Sequence, residues 1–280
     1  MIRIGCRAHD YGRHTPAALA DTLHAHGYTA AQLAMPRGIL GIDSFADITQ
    51  AQLEDIRTAF DAAGVEITVL SCYQDLTAPD ADARRAAVEN VKRTLGYAKQ
   101  LGARMVGSET AWGALPEEEK SARRPLMLDS IARISEEAAR LDAVFAVEPV
   151  AVHPLCTPEL LQQLLDTADA EHFRVIFDPV NLFTAQDGRD KAAQAAHWRA
   201  WLTVIGGQLG AVHVKDCRTE PDGTKAMTAL GAGEMDYTIL IDWLRAHAPE
   251  TPLLRDEVLL PYGTADVAFL NRMAAKIENR

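Results

Sequence analysis

The amino-acid sequence predicts an α/β protein that folds as a single (β/α)8 barrel over residues 1–280. Its length agrees with this fold, because barrels of eight parallel strands commonly run to about 250 residues. Eight short apolar runs alternate with longer segments of helical spacing, the pattern of βα units around a parallel sheet. The count of eight favours a closed barrel, and no GxGxxG follows the first run to indicate an open nucleotide-binding sheet.

The predicted strands are short runs rich in Val, Ile and Ala. In chain order they are Ile2–His9, Ala30–Met35, Glu66–Tyr73, Ala103–Thr110, Val144–Val150, Phe173–Asn181, Leu209–Asp216 and Pro252–Val258. The intervening segments begin at typical helix starts such as Thr15-Pro16. Gly27, Gly64 and Gly102 each stand just before a strand, where a left-handed residue commonly ends a helix. The repeat unit is therefore helix, glycine, strand and loop.

Composition and charge exclude several kinds of partner. The formal net charge is −11 and no Lys/Arg-rich run is present, so binding to a polyanionic nucleic acid is not expected. The four cysteines lie far apart without a CxxC pair, which argues against a zinc ribbon or a disulfide framework and favours a reducing compartment. No apolar run approaches the roughly 18 residues of a membrane span, and no signal peptide is evident. We expect a cytoplasmic protein with no membrane partner.

Four predicted strands carry a potential ligand for a hard metal ion near their C-terminal ends: Glu148, Asp178, His213 and Glu257. In a barrel these ends meet at one mouth. Ionisable groups inside buried strands are costly unless they are paired or coordinated, and a divalent cation would relieve the repulsion among three carboxylates. Each residue alone is more often a helix cap, an ion-pair partner or a structural histidine, so the coincidence of four is the evidence. The donor set suits Mn²⁺, Mg²⁺ or Co²⁺ better than a metal that prefers thiolates.

These strand ends also carry a resemblance to a known family. The segments concerned are Val147-Glu-Pro-Val150, Phe177-Asp-Pro-Val-Asn181, Val212-His-Val-Lys-Asp216 and Asp256-Glu257. They resemble the metal-binding strands of xylose isomerase-like barrels, the sugar isomerase/epimerase superfamily, and the likeness covers nearly the whole chain. In the ketose 3-epimerases and inosose-processing members a Glu, Asp, His, Glu quartet binds one Mn²⁺, Co²⁺ or Mg²⁺. The resemblance implies these ligand roles for Glu148, Asp178, His213 and Glu257.

One position departs from the ketose 3-epimerase pattern. Those enzymes place a substrate-contacting histidine three residues after the metal aspartate, where this chain has Asn181. An asparagine can hydrogen-bond a hydroxyl group but cannot carry a proton at neutral pH. The resemblance therefore implies the class of reaction more firmly than epimerisation itself.

Other polar and aromatic residues at strand ends are candidates for substrate contact. They are His9, Glu109, Trp112, His153, Asn181 and Lys215. Tyr73 is a further aromatic residue that could line a sugar pocket. For these residues a packing or surface role is the open alternative. Asp216 lies on the other face of its strand from His213 and is expected to orient a metal ligand rather than bind the ion.

The predicted function is a divalent-metal-dependent isomerase or epimerase that acts on a sugar or a cyclitol, with Mn²⁺ as the preferred ion. The cation would polarise a chelated carbonyl and stabilise an enediolate, while Glu148 and Glu257 exchange protons as an acid and base pair. Return of the proton to the opposite face gives epimerisation, and return to the adjacent carbon gives isomerisation.

Three alternatives are open. A lyase or dehydratase on the same barrel would let the enediolate expel a leaving group from a keto sugar, a keto-inositol or a 3-keto-glycoside. An endonuclease of the apurinic-site type is disfavoured, because it needs three zinc ions with more histidines and a less acidic chain. A non-catalytic sugar-binding barrel would hold no metal. The sequence leaves open which sugar is used and whether the chain forms a homo-oligomer.

Overall fold

The computed structural model describes residues 1–183 and 190–279, within which eight parallel strands close into a barrel. The barrel strands are β1 (Ile4–Arg7), β2 (Ala30–Leu33), β3 (Glu66–Ser71), β4 (Met105–Glu109), β5 (Phe145–Glu148), β6 (Phe173–Phe177), β7 (Leu209–Val214) and β10 (Leu253–Arg255). The ring closes because β1 pairs in parallel with both β2 and β10. Each strand lies inside the run predicted for it, and the predicted (β/α)8 fold is confirmed.

Helices connect the strands around the outside of the barrel. They are α1 (Pro16–His26), α2 (Met35–Gly38), α3 (Gln50–Ala63), α4 (Ala81–Leu101), α5 (Glu117–Leu141), α6 (Pro158–Leu165), α7 (Lys191–Ile205), α8 (Thr238–His247) and α9 (Gly263–Glu278). Thr15 caps α1 by accepting a hydrogen bond from the backbone of Ala18, as its position predicts. Gly27, Gly64 and Gly102 end their helices with φ of 94°, 66° and 69°, the expected left-handed conformation. None of the helices in the described ranges has the length and apolar character needed to cross a membrane.

A small antiparallel hairpin, not predicted from the sequence, follows β7. It pairs β8 (Cys217–Thr219) with β9 (Lys225–Met227) and stands apart from the barrel sheet. Lys225 Nζ donates to the backbone carbonyls of Val180 and Phe183, at 2.5 and 2.7 Å. These hydrogen bonds join the hairpin to the loop after β6 at the mouth of the barrel.

The interior of the barrel consists of an apolar floor and a polar mouth. The floor contains small and apolar side chains from seven strands: Ala30, Val69, Met105, Ala146, Ile176, Ala211 and Leu254. Because side chains alternate along a strand, the residue two positions later also faces the lumen, one step nearer the C-terminal end. On β5 to β7 and just beyond β10, this rule selects Glu148, Asp178, His213 and Asp256. The floor therefore positions a ring of ionisable groups.

Candidate active site and metal centre

Three of the four predicted metal ligands come together in the lumen. Glu148 ends β5, Asp178 follows β6 and His213 lies within β7. Their side chains offer ligand atoms that all lie within 4.8 Å of one another. His213 Nδ1 is 3.3 Å from Glu148 Oε2 and 3.6 Å from Asp178 Oδ2. One small cation could therefore contact all three side chains.

The chemistry of this group fits a metal ion. Asp178 Oδ2 and His213 Nδ1 are buried and face the same small space 3.6 Å apart, and Lys215 Nζ lies 3.2 Å from Asp178 Oδ2. Within the described residues His213 Nδ1 has no well-aligned hydrogen-bond partner, although buried polar atoms are almost always satisfied. A carboxylate oxygen and an imidazole nitrogen both offer a lone pair rather than a proton when they bind a metal. A divalent cation would satisfy both atoms at once.

The fourth predicted ligand, Glu257, is not part of this group. Its backbone turns with φ of 53°, and its Oε1 lies 3.1 Å from Lys215 Nζ on a side chain that is 37% exposed. The preceding residue, Asp256, faces the lumen instead, with Oδ2 at 3.9 Å from His213 Nδ1. The ligand role of Glu257 stays a prediction, and the geometry adds Asp256 as a competitor for it.

Lys215 is a buried cation in the middle of the carboxylates. Its Nζ lies 2.7 Å from Asp256 Oδ2 and 3.2 Å from Asp178 Oδ2. Asn181 accepts a hydrogen bond from Lys215 Nζ at 3.0 Å and donates one to Glu148 Oε1 at 2.8 Å. The side chain of Asn181 thereby connects Glu148 with Lys215. This network orients both residues without adding a charge.

Mutual proximity keeps this group charged despite its burial. Burial alone would lower the pKa of His213, but the carboxylates of Glu148 and Asp178 raise the pKa to about 10. Burial opposes ionisation of Asp178 and Asp256, yet Lys215 and His213 hold the pKa of each carboxyl below its ordinary value. Arg7 adds a further positive charge, with its Nη1 at 2.8 Å from Asp256 Oδ1. The lumen is therefore a compact set of opposite charges.

Glu109 and His153 form a second pair beside the metal group. Glu109 is aligned with Glu148 across the β4 and β5 pairing, and burial followed by the charge of Glu148 raises its pKa to about 8. His153 Nδ1 lies 3.7 Å from Glu109 Oε2, and burial lowers the pKa of His153 to about 4. In this state of the protein both groups are therefore mainly uncharged at neutral pH.

Aromatic side chains line another part of the mouth. His9 packs edge-on against Tyr73 with ring centroids 5.8 Å apart, and its Nδ1 accepts a hydrogen bond from the backbone of Ala34. Burial lowers the pKa of His9 to about 3, so this ring is neutral. Trp112 is 62% exposed beyond the end of β4. His9 and Tyr73 are part of a packed wall, whereas Trp112 lies at the rim.

The contacts of Asp216 differ from its predicted role beside the metal. Its carboxylate accepts hydrogen bonds from the backbone N–H groups of Cys217, Gly231, Gly233 and Met235, at 2.8 to 3.2 Å. Three of these bonds, from Gly231, Gly233 and Met235, hold the loop between β9 and α8 in place. Asp216 therefore acts on the shape of the rim rather than on a ligand side chain.

A profile of the xylose isomerase-like TIM barrel family matches residues 20–254 of this chain. The chain belongs to the xylose isomerase-like TIM barrel family. The match spans β2 to β10 and includes the lumen residues Glu148, Asp178 and His213. A search of curated proteins gave no match.

Solved structures with the same fold include two that are named as sugar epimerases. A 3-keto-D-glucoside 4-epimerase from E. coli is 17% identical, with a TM-score of 0.73 over 97% of this chain and 100% of that one. A xylose isomerase-like barrel protein from Mycobacterium smegmatis in complex with magnesium is 15% identical, with a TM-score of 0.75 over 99% and 98%. A D-psicose 3-epimerase with D-fructose is 14% identical, with a TM-score of 0.72 over 98% and 99%. At these identities the likeness establishes the fold.

Three lumen residues of this xylose isomerase-like barrel were missed in the sequence analysis: Arg7, Gln32 and Asp256. Each follows a floor residue or a strand glycine by two positions, so the alternation of a strand was the available signal. Gln32 and Arg7 lie in the first two strands, which carry no predicted ligand. Asp256 stands next to Glu257, and the sequence alone did not distinguish which of the two enters the lumen.

Proposed function

We propose that this chain is a divalent-metal-dependent isomerase or epimerase that acts on a sugar or a cyclitol. The observation that carries the proposal is the convergence of Glu148, Asp178 and His213, whose ligand atoms all lie within 4.8 Å of one another in the buried lumen. Family membership and the sugar epimerases among the similar structures support the same class of reaction. Mn²⁺ is the proposed ion and Mg²⁺ or Co²⁺ are the alternatives, because carboxylate and imidazole donors suit them.

The proposed ligands are Glu148, Asp178 and His213, with a fourth carboxylate from Asp256 or Glu257. When bound, the cation polarises the substrate carbonyl and stabilises the enediolate that forms when the neighbouring proton leaves. Glu148 and Glu257 are the proposed acid and base. Glu148 ends β5, and Glu257 lies just beyond β10 with its Oε1 3.1 Å from Lys215 Nζ, so two strands, β6 and β7, separate the starting points of the two carboxylates. Such an arrangement lets one residue remove a proton and the other return it to the opposite face.

The remaining polar groups are proposed to bind the substrate. Lys215 and Asn181 lie next to the carboxylates and can donate hydrogen bonds to hydroxyl groups. His9 and Trp112 are proposed to contact the sugar from the wall and the rim. Glu109 and His153, which lie 3.7 Å apart, are proposed to contact it on the β4 side.

Elimination is a second candidate, and a specific observation favours it. Glu109 is aligned with Glu148 at the end of the neighbouring strand, His153 Nδ1 lies 3.7 Å from its Oε2, and burial raises the pKa of its carboxyl. A protonated carboxyl can donate its proton to a departing oxygen, and loss of a β-hydroxyl or a glycosyl oxygen needs such a donor. Keto sugars, keto-inositols and 3-keto-glycosides are the substrates that this reaction would consume.

A labelling experiment separates the two candidates. The purified protein is analysed for metal, and candidate keto sugars are incubated with it and Mn²⁺ in D₂O. Deuterium in a product of unchanged molecular formula supports isomerisation or epimerisation, whereas loss of water or an aglycone supports elimination. A protein that binds no divalent cation and exchanges no substrate proton would overturn both candidates and favour a simple sugar-binding barrel.

A further inference from the structure

A buried glutamine lies behind the imidazole of His213, on the side away from the carboxylates. Gln32 faces the lumen from β2 and is 2% exposed. Its Oε1 lies 2.6 Å from His213 Nε2, although 181 positions separate the two residues in the chain. Its Nε2 donates a hydrogen bond to the hydroxyl group of Tyr73 at 3.0 Å. Tyr73, Gln32 and His213 therefore form one hydrogen-bonded chain across the barrel.

The hydrogen bonds from Tyr73 through Gln32 to His213 keep a proton on Nε2 of the His213 ring. The Oε1 atom of Gln32 can only accept a hydrogen bond, so the His213 nitrogen that faces it must donate. A cation that replaced the proton on Nδ1 would leave the proton on Nε2 with Gln32 and would take the lone pair of Nδ1. Nδ1 faces Glu148 Oε2 at 3.3 Å and Asp178 Oδ2 at 3.6 Å, the other two members of the metal group.

We infer that Gln32 is a positioning residue that holds His213 with its proton on Nε2, so that Nδ1 is presented to a divalent cation. The inference rests on the metal site of the proposed function. Metal-binding histidines generally donate their other ring N–H to an acceptor, and loss of that acceptor typically weakens metal affinity by about 10–100-fold. Here a side-chain amide supplies the acceptor, and Tyr73 sets the orientation of the amide.

The test is a Mn²⁺ titration of the metal-free full chain, with the free aqueous ion followed by electron paramagnetic resonance. Gln32→Leu removes the acceptor and should weaken Mn²⁺ binding by about 10–100-fold. Gln32→Glu keeps an acceptor at this position and should restore binding to the wild-type affinity or better. Gln194→Leu removes a second buried glutamine that hydrogen-bonds the loop at Glu234 and Asp236, and should leave Mn²⁺ affinity unchanged. Thermal unfolding of each variant separates lost affinity from lost folding.

A second measurement detects the proton on His213 Nε2 directly. Nitrogen NMR of the Mg²⁺-loaded protein should show a proton on His213 Nε2 in the wild type and in Gln32→Glu. Equal Mn²⁺ affinity in the wild type and Gln32→Leu would overturn the role of Gln32 and leave the proposed function intact. A wild-type protein that binds none of Mn²⁺, Mg²⁺ and Co²⁺ would overturn both the role of Gln32 and the proposed function, because His213 would then bind no metal ion.

Discussion

The two sides of the barrel mouth treat buried ionisable groups in opposite ways. On the side formed by β5, β6, β7 and β10, the pKa of His213 is raised to about 10 and that of Asp178 is lowered, so both groups are charged. On the side formed by β1 to β4, the pKa of His9 is lowered to about 3 and that of Glu109 is raised to about 8, which favours their neutral forms. Arg7 is the exception and is paired with Asp10.

The difference teaches what decides the protonation state of a buried group. Burial disfavours charge on both sides of the mouth. On the charged side each group has an opposite charge within about 4 Å, as Lys215 has in Asp178 and Asp256. On the neutral side burial is the dominant influence on His9 and Glu109. We interpret the charged side as the metal-binding side and the neutral side as a surface for sugar hydroxyls and ring faces.

The largest expected effect comes from neutralising a carboxylate on the charged side. Glu148→Gln removes both a proposed ligand and a proposed base, and should reduce turnover of the substrate found by deuterium labelling by about 10²–10⁴-fold. The measurement is kcat at saturating Mn²⁺. Glu54→Gln, on the exposed face of α3, is the matched control. Near-normal turnover of Glu148→Gln with metal bound would remove Glu148 from the acid and base pair.

A pair of substitutions tests whether Asp256 or Glu257 is the fourth metal ligand on the charged side. Asp256 faces His213 and Lys215, whereas Glu257 is partly exposed and contacts Lys215. Asp256→Asn should therefore weaken Mn²⁺ binding by at least about tenfold, and Glu257→Gln should weaken it less. Isothermal titration with Mn²⁺ compares the two variants. They lie at neighbouring positions and each loses one negative charge. The reverse order would identify Glu257 as the fourth ligand, as its sequence position predicts.

Glu109 tests the neutral side through the pH dependence of stability. The folded protein keeps the Glu109 proton up to about pH 8, whereas the ordinary value of 4.5 applies once the chain unfolds. Because the folded state then binds more protons, the free energy of unfolding should fall as pH rises between these two values. Glu109→Gln cannot titrate, so it should gain stability relative to the wild type as pH rises. Urea unfolding of EDTA-treated protein at several pH values measures this gain, and an equal pH slope in both proteins would contradict it.

The smallest effect is expected at the rim. Trp112 is largely exposed, so Trp112→Ala should change the free energy of unfolding by no more than about 0.5 kcal/mol. If the indole contacts the sugar, loss of about 1 kcal/mol of aromatic contact raises KM about fivefold and leaves kcat and Mn²⁺ affinity unchanged. Steady-state kinetics beside a Mn²⁺ titration distinguishes these quantities. A large fall in Mn²⁺ affinity would place Trp112 in the metal group.

The barrel was predictable from the sequence because strands of a parallel sheet are buried on both faces and appear as continuous apolar runs. Glu148, Asp178 and His213 were recognisable because each interrupts or ends such a run. The choice between Asp256 and Glu257 was not, since it depends on a backbone turn with φ of 53°. Gln32 was missed because its importance comes from a contact 181 positions away. Short strands such as β8 contain too few residues to show an alternation of apolar and polar side chains, so the hairpin was not predicted.

Closure of the barrel also has a consequence for how the protein matures. The ion pair between Arg7 and Asp256 crosses the seam where β1 pairs with β10, and the hydrogen bond from His213 to Gln32 crosses the lumen from β7 to β2. The proposed metal ligands Glu148, Asp178 and His213 all come from the second half of the chain, whereas Arg7 and Gln32 come from the first. The second half therefore supplies the ligands, and the first half supplies groups that hold Asp256 and His213 in place. A refolding sample should gain its full affinity for Mn²⁺ only when β1 and β2 have joined the barrel.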